Sequence, residues 1–246
     1  MPVESLIIIF LALALGSLVK GIAGLGLPLV AIPVMSTFMA VDHAVAVMVI
    51  PGIMINTWLL WTYRKHAVKI ADLPAMIGVG ILTVALGAWI LSEVPDTYLI
   101  TFMVFWVGGY LISLLFKERL KSGLTFGRHG PLVVVGLAGV IQGSNGTSGP
   151  VFAPYVHSLK LTQPQYVYVV SVIFQIFAIT QLVSFGWLGM IDMERGYHSL
   201  LACIPIAIFL PLAVWLARFF SDRAFNIIIV VVLIAIEIRL IWRLAI

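Results

Sequence analysis

The stretch Lys20-Gly21-Ile22-Ala23-Gly24-Leu25-Gly26-Leu27-Pro28 interrupts a long apolar run, and we call it the first break. Gln142-Gly143-Ser144-Asn145-Gly146-Thr147-Ser148-Gly149-Pro150 interrupts another apolar run about half the chain away, and we call it the second break. Two glycines and the proline of each break match at one constant offset, since Pro28 and Pro150 lie 122 positions apart. Interrupted apolar segments at corresponding places in two halves are typical of transporter binding sites.

The composition identifies the class of protein. Of the 246 residues, 62% are hydrophobic and 10% are charged, whereas a soluble domain carries about a quarter charged residues. We therefore predict an integral membrane protein with no soluble catalytic domain, and no enzyme activity. The net charge of +4 comes from basic residues in short loops, so we expect a lipid bilayer as partner and no nucleic acid. Glu4 stands where a signal peptide would be basic, so we expect the first apolar run to be retained.

Apolar segments long enough to span a bilayer need about 20 residues, and the chain has six of them. Two further apolar regions, 6–40 and 131–159, contain the breaks. Residues 131–141 would form a helix of only about 17 Å, too short for a hydrocarbon core of about 30 Å. Each broken region is therefore either one broken crossing or a re-entrant hairpin, and segment length favours the hairpin. The six predicted spans are 43–63, 74–92, 97–116, 166–186, 199–217 and 224–244.

The two halves have the same order of elements, a broken element followed by three spans. This predicts an all-α polytopic membrane protein of two inverted repeats with about eight membrane elements. The first repeat is 1–116, a cytoplasmic linker is 117–130, and the second repeat is 131–246. Basic residues favour the cytoplasmic side. The basic loop after the first full span and the linker are therefore predicted to be cytoplasmic, and the loop with Glu93 and Asp96 external. Loop charge does not decide between crossing and hairpin.

The glycines of the breaks are the first candidate binding residues. Glycine permits positive φ and close approach of backbone to a ligand, and a helix that resumes after a break offers N–H donors to an anion. Close helix packing is the alternative role. Lys20, a cation in an apolar run, could attract an anion or extend its amine to the interface. Its counterpart is the neutral Gln142. The glycines concerned are Gly21, Gly24, Gly26, Gly143, Gly146 and Gly149.

Neutral polar side chains complete the candidate set. Asn145, Thr147 and Ser148 suit a polyoxygenated anion, or they cap the helix ends. Asn56 and Gln175 lie at similar depths of two predicted spans, where they could line a pathway or bond to neighbouring helices.

Metal and cofactor sites are not expected from this sequence. Cys203 is the only cysteine, which excludes an internal disulfide and a cysteine metal cluster. His43, His157 and His198 lie near segment ends without an accompanying cluster of ligands, so we interpret them as interfacial.

A resemblance to a known family rests on these breaks. Gly21-Ile22-Ala23-Gly24-Leu25-Gly26-Leu27-Pro28 with Pro33, and Gly136-Leu137-Ala138-Gly139 leading to the second break, resemble the TauE/SafE sulfite exporter family, also called the 4-toluene sulfonate uptake permease family. The family's usual glycine run is richer than either break. The resemblance implies a multi-pass carrier of the cytoplasmic membrane for small sulfur-containing anions such as sulfite or organosulfonates.

The preferred hypothesis is a secondary transporter, an exporter, that alternates access around one midplane site lined by both breaks. One alternative is an intramembrane serine protease, because Gly146-Thr147-Ser148-Gly149 has the Gly-x-Ser-Gly form and Ser148 would be its nucleophile. The other alternative is a channel for anions or small solutes.

Overall fold

The computed structural model describes residues 3–23, 26–70, 72–115, 127, 129–216 and 222–245. These residues form helices and short connections and contain no β-strand, which confirms the all-α class. Many large apolar side chains face outward, as expected for helices surrounded by lipid. The α-helices in the described residues are α1 (Val3–Ala23), α2 (Leu27–Ser36), α3 (Val41–Val47), α4 (Val49–Tyr63), α5 (Leu73–Glu93), α6 (Asp96–Leu115), α7 (Gly130–Asn145), α8 (Gly149–Ser158), α9 (Gln163–Trp187), α10 (Met193–Leu201), α11 (Cys203–Leu216) and α12 (Asp222–Ala245).

The lengths of the helices agree with most of the predicted spans. The sixth predicted span, 224–244, lies within α12, a helix of 24 residues. One length was predicted wrongly, because α7 begins at Gly130 and continues to Asn145, 16 residues instead of 11. Five stretches of the described chain are long and apolar enough to cross a membrane, and each overlaps a predicted span: Val41–His66, Leu73–Glu93, Asp96–Ser113, Gln163–Trp187 and Met193–Leu216.

Prolines divide two of these spans. Met48 separates α3 from α4, and Pro51 follows in the first turn of α4. Because proline has no N–H, Pro51 cannot donate to the carbonyl of Val47 four residues earlier. The hydroxyl of Ser199 donates to that carbonyl instead, at 2.9 Å. The second divided span has the same arrangement. Ala202 separates α10 from α11, and Pro205 follows in the first turn of α11.

The chain forms two compact units, and the first break lies in one of them. This first-break unit comprises Met1–Met48, Val94–Phe116 and Ile191–Ile246. Within it α1 packs against α2 and α11, α6 packs against α12, and α3 packs against α10. An edge-to-face contact between Phe10 and Phe209, with ring centroids 6.0 Å apart, joins α1 to α11.

The second break lies in the other unit, which we call the second-break unit. It comprises Val49–Glu93 and Lys117–Met190, with α4, α5, α7, α8 and α9 in its described residues. Here α7 packs against α5, and α9 packs against α4 and α5. Phe152 of α8 contacts Phe174 of α9, with centroids 5.9 Å apart. Each unit thus takes helices from both predicted repeats, while the repeat boundaries themselves stay a prediction.

Candidate functional site

The second break is a short interruption between two helices. α7 ends at Asn145, and Gly146 follows with a φ of +73°, which residues with a side chain rarely adopt. The N–H of Gly146 donates to the carbonyl of Gln142 at 2.9 Å and closes the end of α7. α8 then begins at Gly149, with Pro150 in its first turn as predicted. The break is shorter than expected, since Gln142, Gly143 and Asn145 lie in the last helical turn.

Gly143 stays helical because it packs against the neighbouring backbone. A methyl group in its place would overlap the carbonyl oxygen of Val84, and one on Gly87 would overlap the carbonyl of Val140. Glycines on both helices therefore let the α5 and α7 backbones touch. Gly149 differs, since a methyl group there would meet nothing within 4 Å. Gly143 thus has the packing role that the sequence left as an alternative, and Gly149 faces open space.

The polar side chains of the second break form a hydrogen-bonded chain. The Ser148 hydroxyl donates to Oε1 of Gln142 at 2.7 Å. Nε2 of Gln142 donates to Oε1 of Gln181 at 3.3 Å, and Nε2 of Gln181 donates to the Gln142 carbonyl at 2.9 Å. Ser148 occupies the N-cap position of α8, yet its side chain makes no cap hydrogen bond. The start of α8 consequently lacks the usual side-chain acceptor.

Asn145, the last residue of α7, has a side-chain donor without a hydrogen-bond partner among the described residues. Its side chain is 1% exposed, and Oδ1 accepts from the Thr147 hydroxyl at 3.1 Å. The amide nitrogen Nδ2 is buried and has no hydrogen-bond partner among the described residues. A buried donor without a partner costs about 1–3 kcal/mol, so this group is a candidate donor to a bound acceptor.

The first break also has a glycine at positive φ, and it has fewer polar groups. α1 ends at Ala23, and Gly26, with a φ of +111°, is the N-cap of α2. Pro28 lies in the first turn of α2, as predicted, and no side chain caps this helix. Gly21 is in the last turn of α1, and Gly24 lies outside the described residues.

Lys20 also lies in the last turn of α1. A cation is favourable there, because the carbonyl end of a helix carries partial negative charge. No carboxylate in the described part of the chain forms an ion pair with Lys20.

Comparison with known proteins decides the family. The family model described as "Sulfite exporter TauE/SafE" matches residues 8–240. The chain belongs to this sulfite exporter family. Searches of curated proteins and of solved structures return no match. The match includes both breaks, and the resemblance predicted from their residues is confirmed.

The other predicted amides lie in the second-break unit of this TauE/SafE family member. Asn56 of α4 is buried, with 7% of its surface exposed. Gln175 of α9 donates not to Asn56 but to the hydroxyl of its neighbour Thr57, at 3.1 Å. Thr57, and not Asn56, therefore joins α4 to α9. This hydrogen bond agrees with the role of bonding to a neighbouring helix that the sequence left open for Gln175.

Gln181 was missed by the sequence reasoning. It is 2% exposed and bonds to both the side chain and the carbonyl of Gln142. The available signal was an amide in an otherwise apolar span, the same signal that singled out Gln175. Only the packing of α9 beside α7 distinguishes the two amides.

The protease alternative gains no support from the second break. A serine nucleophile needs a base that accepts its proton. The Ser148 hydroxyl donates to Gln142, whose amide is not a base.

Proposed function

We propose that the protein is a secondary transporter that exports small sulfur-containing anions, such as sulfite or organosulfonates, across the cytoplasmic membrane. The observation that carries this proposal is the buried, unpaired Nδ2 of Asn145 beside the uncapped start of α8. Hydrogen-bond donors that converge without a carboxylate favour an anion. Membership of a sulfite exporter family supports the sulfur-containing class.

In the proposed binding step, each group has a separate role. The backbone N–H of Gly149 at the start of α8 and Nδ2 of Asn145 donate to oxygens of the anion, since Pro150 has no N–H and Val151 and Phe152 donate to the Ser148 carbonyl. Gln142 and Gln181 hold the Ser148 hydroxyl through the observed hydrogen bonds. Lys20, which the described acids leave unpaired, offsets negative charge at the first break. That both breaks line one midplane cavity, with Gly21, Gly24 and Gly26 on one side, stays a prediction from the sequence.

Alternating access between two inverted repeats is the proposed mechanism. The packing inside each unit supports it. In the first-break unit α1 packs against α11, and in the second-break unit α7 packs against α5. α5 and the α10–α11 pair are the corresponding spans of the two predicted repeats. Each helix that leads into a break therefore packs against the same element of the opposite repeat, as a pseudo-twofold relation requires.

The test is counterflow in proteoliposomes loaded with sulfite, sulfate, an alkylsulfonate or a carboxylate, measured as exchange with the labelled form of the same anion. We expect saturable exchange of sulfite or sulfonate and little exchange of the carboxylate. Full exchange in a Lys20→Met, Ser148→Ala double variant would refute the assignment of the site. Flux that never saturates and cannot be driven against a gradient would indicate a channel instead.

A further inference from the structure

Two histidines of the first-break unit contact each other. Nε2 of His43 in α3 lies 3.0 Å from Nδ1 of His198 in α10, and their ring centroids are 5.2 Å apart. His198 is fully buried, whereas His43 is half-buried. In a hydrogen bond between two neutral imidazoles, either ring can be the donor, depending on its tautomer. The contact is therefore a shared-proton pair with one accessible end and one buried end.

The buried end of the pair is unsatisfied. Nε2 of His198 is buried and has no hydrogen-bond partner within the described residues. If His43 donates to His198, this nitrogen carries a hydrogen with no acceptor; if His198 donates, it is an acceptor with no donor. Leaving such an atom buried costs about 1–3 kcal/mol in either arrangement of the pair.

Charges of both signs surround the pair. Arg195 bonds to Asp42 at 2.5 Å, and Glu194 and Asp192 lie on the same helix end. The N–H of Arg195 donates to Asp192 and lowers the pKa of that carboxyl. The guanidinium of Arg195 opposes an added proton on His43, and the carboxylates of Asp42 and Glu194 favour one.

The remaining groups near α3 and α10 are balanced or neutral. From α6 and α12, Asp96 and Arg243 form an ion pair at 2.6 Å. The carbonyls of Ser36, at the end of α2, and of Met39, after it, accept from Arg243. The Tyr197 ring lies 6.4 Å from the His198 ring.

The pair is placed to exchange protons with the outside. Asp96 accepts a hydrogen bond from the N–H of Val41 at the start of α3, at 2.7 Å. Asp96 also belongs to the loop that the charge distribution predicts to be external. The pair therefore lies in the first turn of α3, at its predicted external end. In the same unit α3 packs against α2, the helix that resumes after the first break.

We propose that His43 and His198 form a proton-binding site that couples the transport cycle to the proton gradient. The inference rests on the proposed function. In the binding step, a neutral pair takes one proton from the external solution at the accessible ring and becomes an imidazolium hydrogen-bonded to an imidazole. The same proton leaves when the carrier changes state, so no bond other than N–H forms or breaks.

The test uses proteoliposomes and an alkylsulfonate probe, whose charge does not change between about pH 5 and pH 8, where histidine titrates. Counterflow without a pH gradient is measured first, and net flux under an imposed pH gradient second, with an internal pH dye that reports proton movement. We expect the gradient to drive sulfonate flux in the wild type. His43→Gln and His198→Gln should lose at least about tenfold of the gradient-driven flux and keep most of the counterflow. His66→Gln, at an exposed histidine, is the matched control and should behave as the wild type.

The outcomes separate the two proposals. Absence of counterflow in the wild type would contradict the proposed function. Counterflow with no response to the gradient and no proton movement would overturn only the proton site. Gradient-driven flux that survives in both histidine variants would overturn it as well. Because a variant may be misfolded, ¹⁵N-histidine NMR of the wild type gives an independent measurement: two rings that never share or gain a proton across this pH range would contradict the proposal.

Discussion

The first and second breaks both lead into an uncapped helix and differ in their side chains. Each has a glycine at positive φ, a ten-residue helix that follows, a proline in its first turn and no side-chain cap. The first break adds one cation, Lys20, in the last turn of α1. The second adds the bonded chain of Ser148, Gln142 and Gln181 and the unpaired amide of Asn145. Both breaks therefore lead into a helix start without a side-chain cap, and under the proposed function the side chains of the second break determine which ligand binds.

The largest loss of anion affinity is expected from a substitution of Asn145. Asn145→Asp keeps the size of the side chain but replaces the unpaired donor by a carboxylate that repels an anion. We expect sulfite affinity to fall at least about 100-fold, since one buried group is lost and one like charge is added, at about 3 kcal/mol. The measurement is the concentration dependence of counterflow.

The matched control is Ser158→Asp, which adds the same charge at the exposed opposite end of α8. It should leave the affinity unchanged. Equal losses in the two variants would mean that general charge, and not the donor of Asn145, determines binding.

The second prediction concerns the packing of Gly143 against α5. Gly143→Ala should lower the free energy of unfolding by about 1–3 kcal/mol, because its methyl group overlaps the backbone of α5. Gly149→Ala has open space around it and should change stability little. Thermal unfolding in detergent compares the two variants. A Gly143→Ala protein as stable as Gly149→Ala would contradict the close contact of α5 and α7.

The third prediction tests the glycine at positive φ that each break contains. Gly26→Ala and Gly146→Ala each force a side chain into the left-handed region, which costs about 1–2 kcal/mol. Both should lower thermal stability, because each glycine has a positive φ although they occupy different cap positions. A variant as stable as the wild type would show that the positive φ at that glycine is not required.

The smallest effect is expected at Lys20. Lys20→Met should weaken anion binding about fivefold, the equivalent of about 1 kcal/mol for a partly exposed charge. Lys20→Arg should restore most of the affinity, since it keeps the charge. Concentration-dependent counterflow at low salt measures both variants, and equal affinity of Lys20→Met and wild type would assign Lys20 to the helix end alone.

The extent of the breaks shows where sequence reasoning reached its limit. The glycines and prolines predicted both interruptions, because positive φ and a missing N–H are local properties of those residues. The same reasoning made the second break too long. Gly143 looks like a helix breaker in sequence, but contact with α5 keeps it helical. Local propensity does not include the neighbouring helix.

The sequence by itself determined the membrane class, most spans, the family and the position of both breaks, since composition, apolar length and glycine-proline spacing are properties of the chain. Only the tertiary structure joined Gln181 to Gln142 and His43 to His198. The partners of these pairs are 39 and 155 positions apart, so nothing local marks them. Polar groups buried among apolar helices bond to whatever side chain the packing brings near, and that packing is a property of the fold.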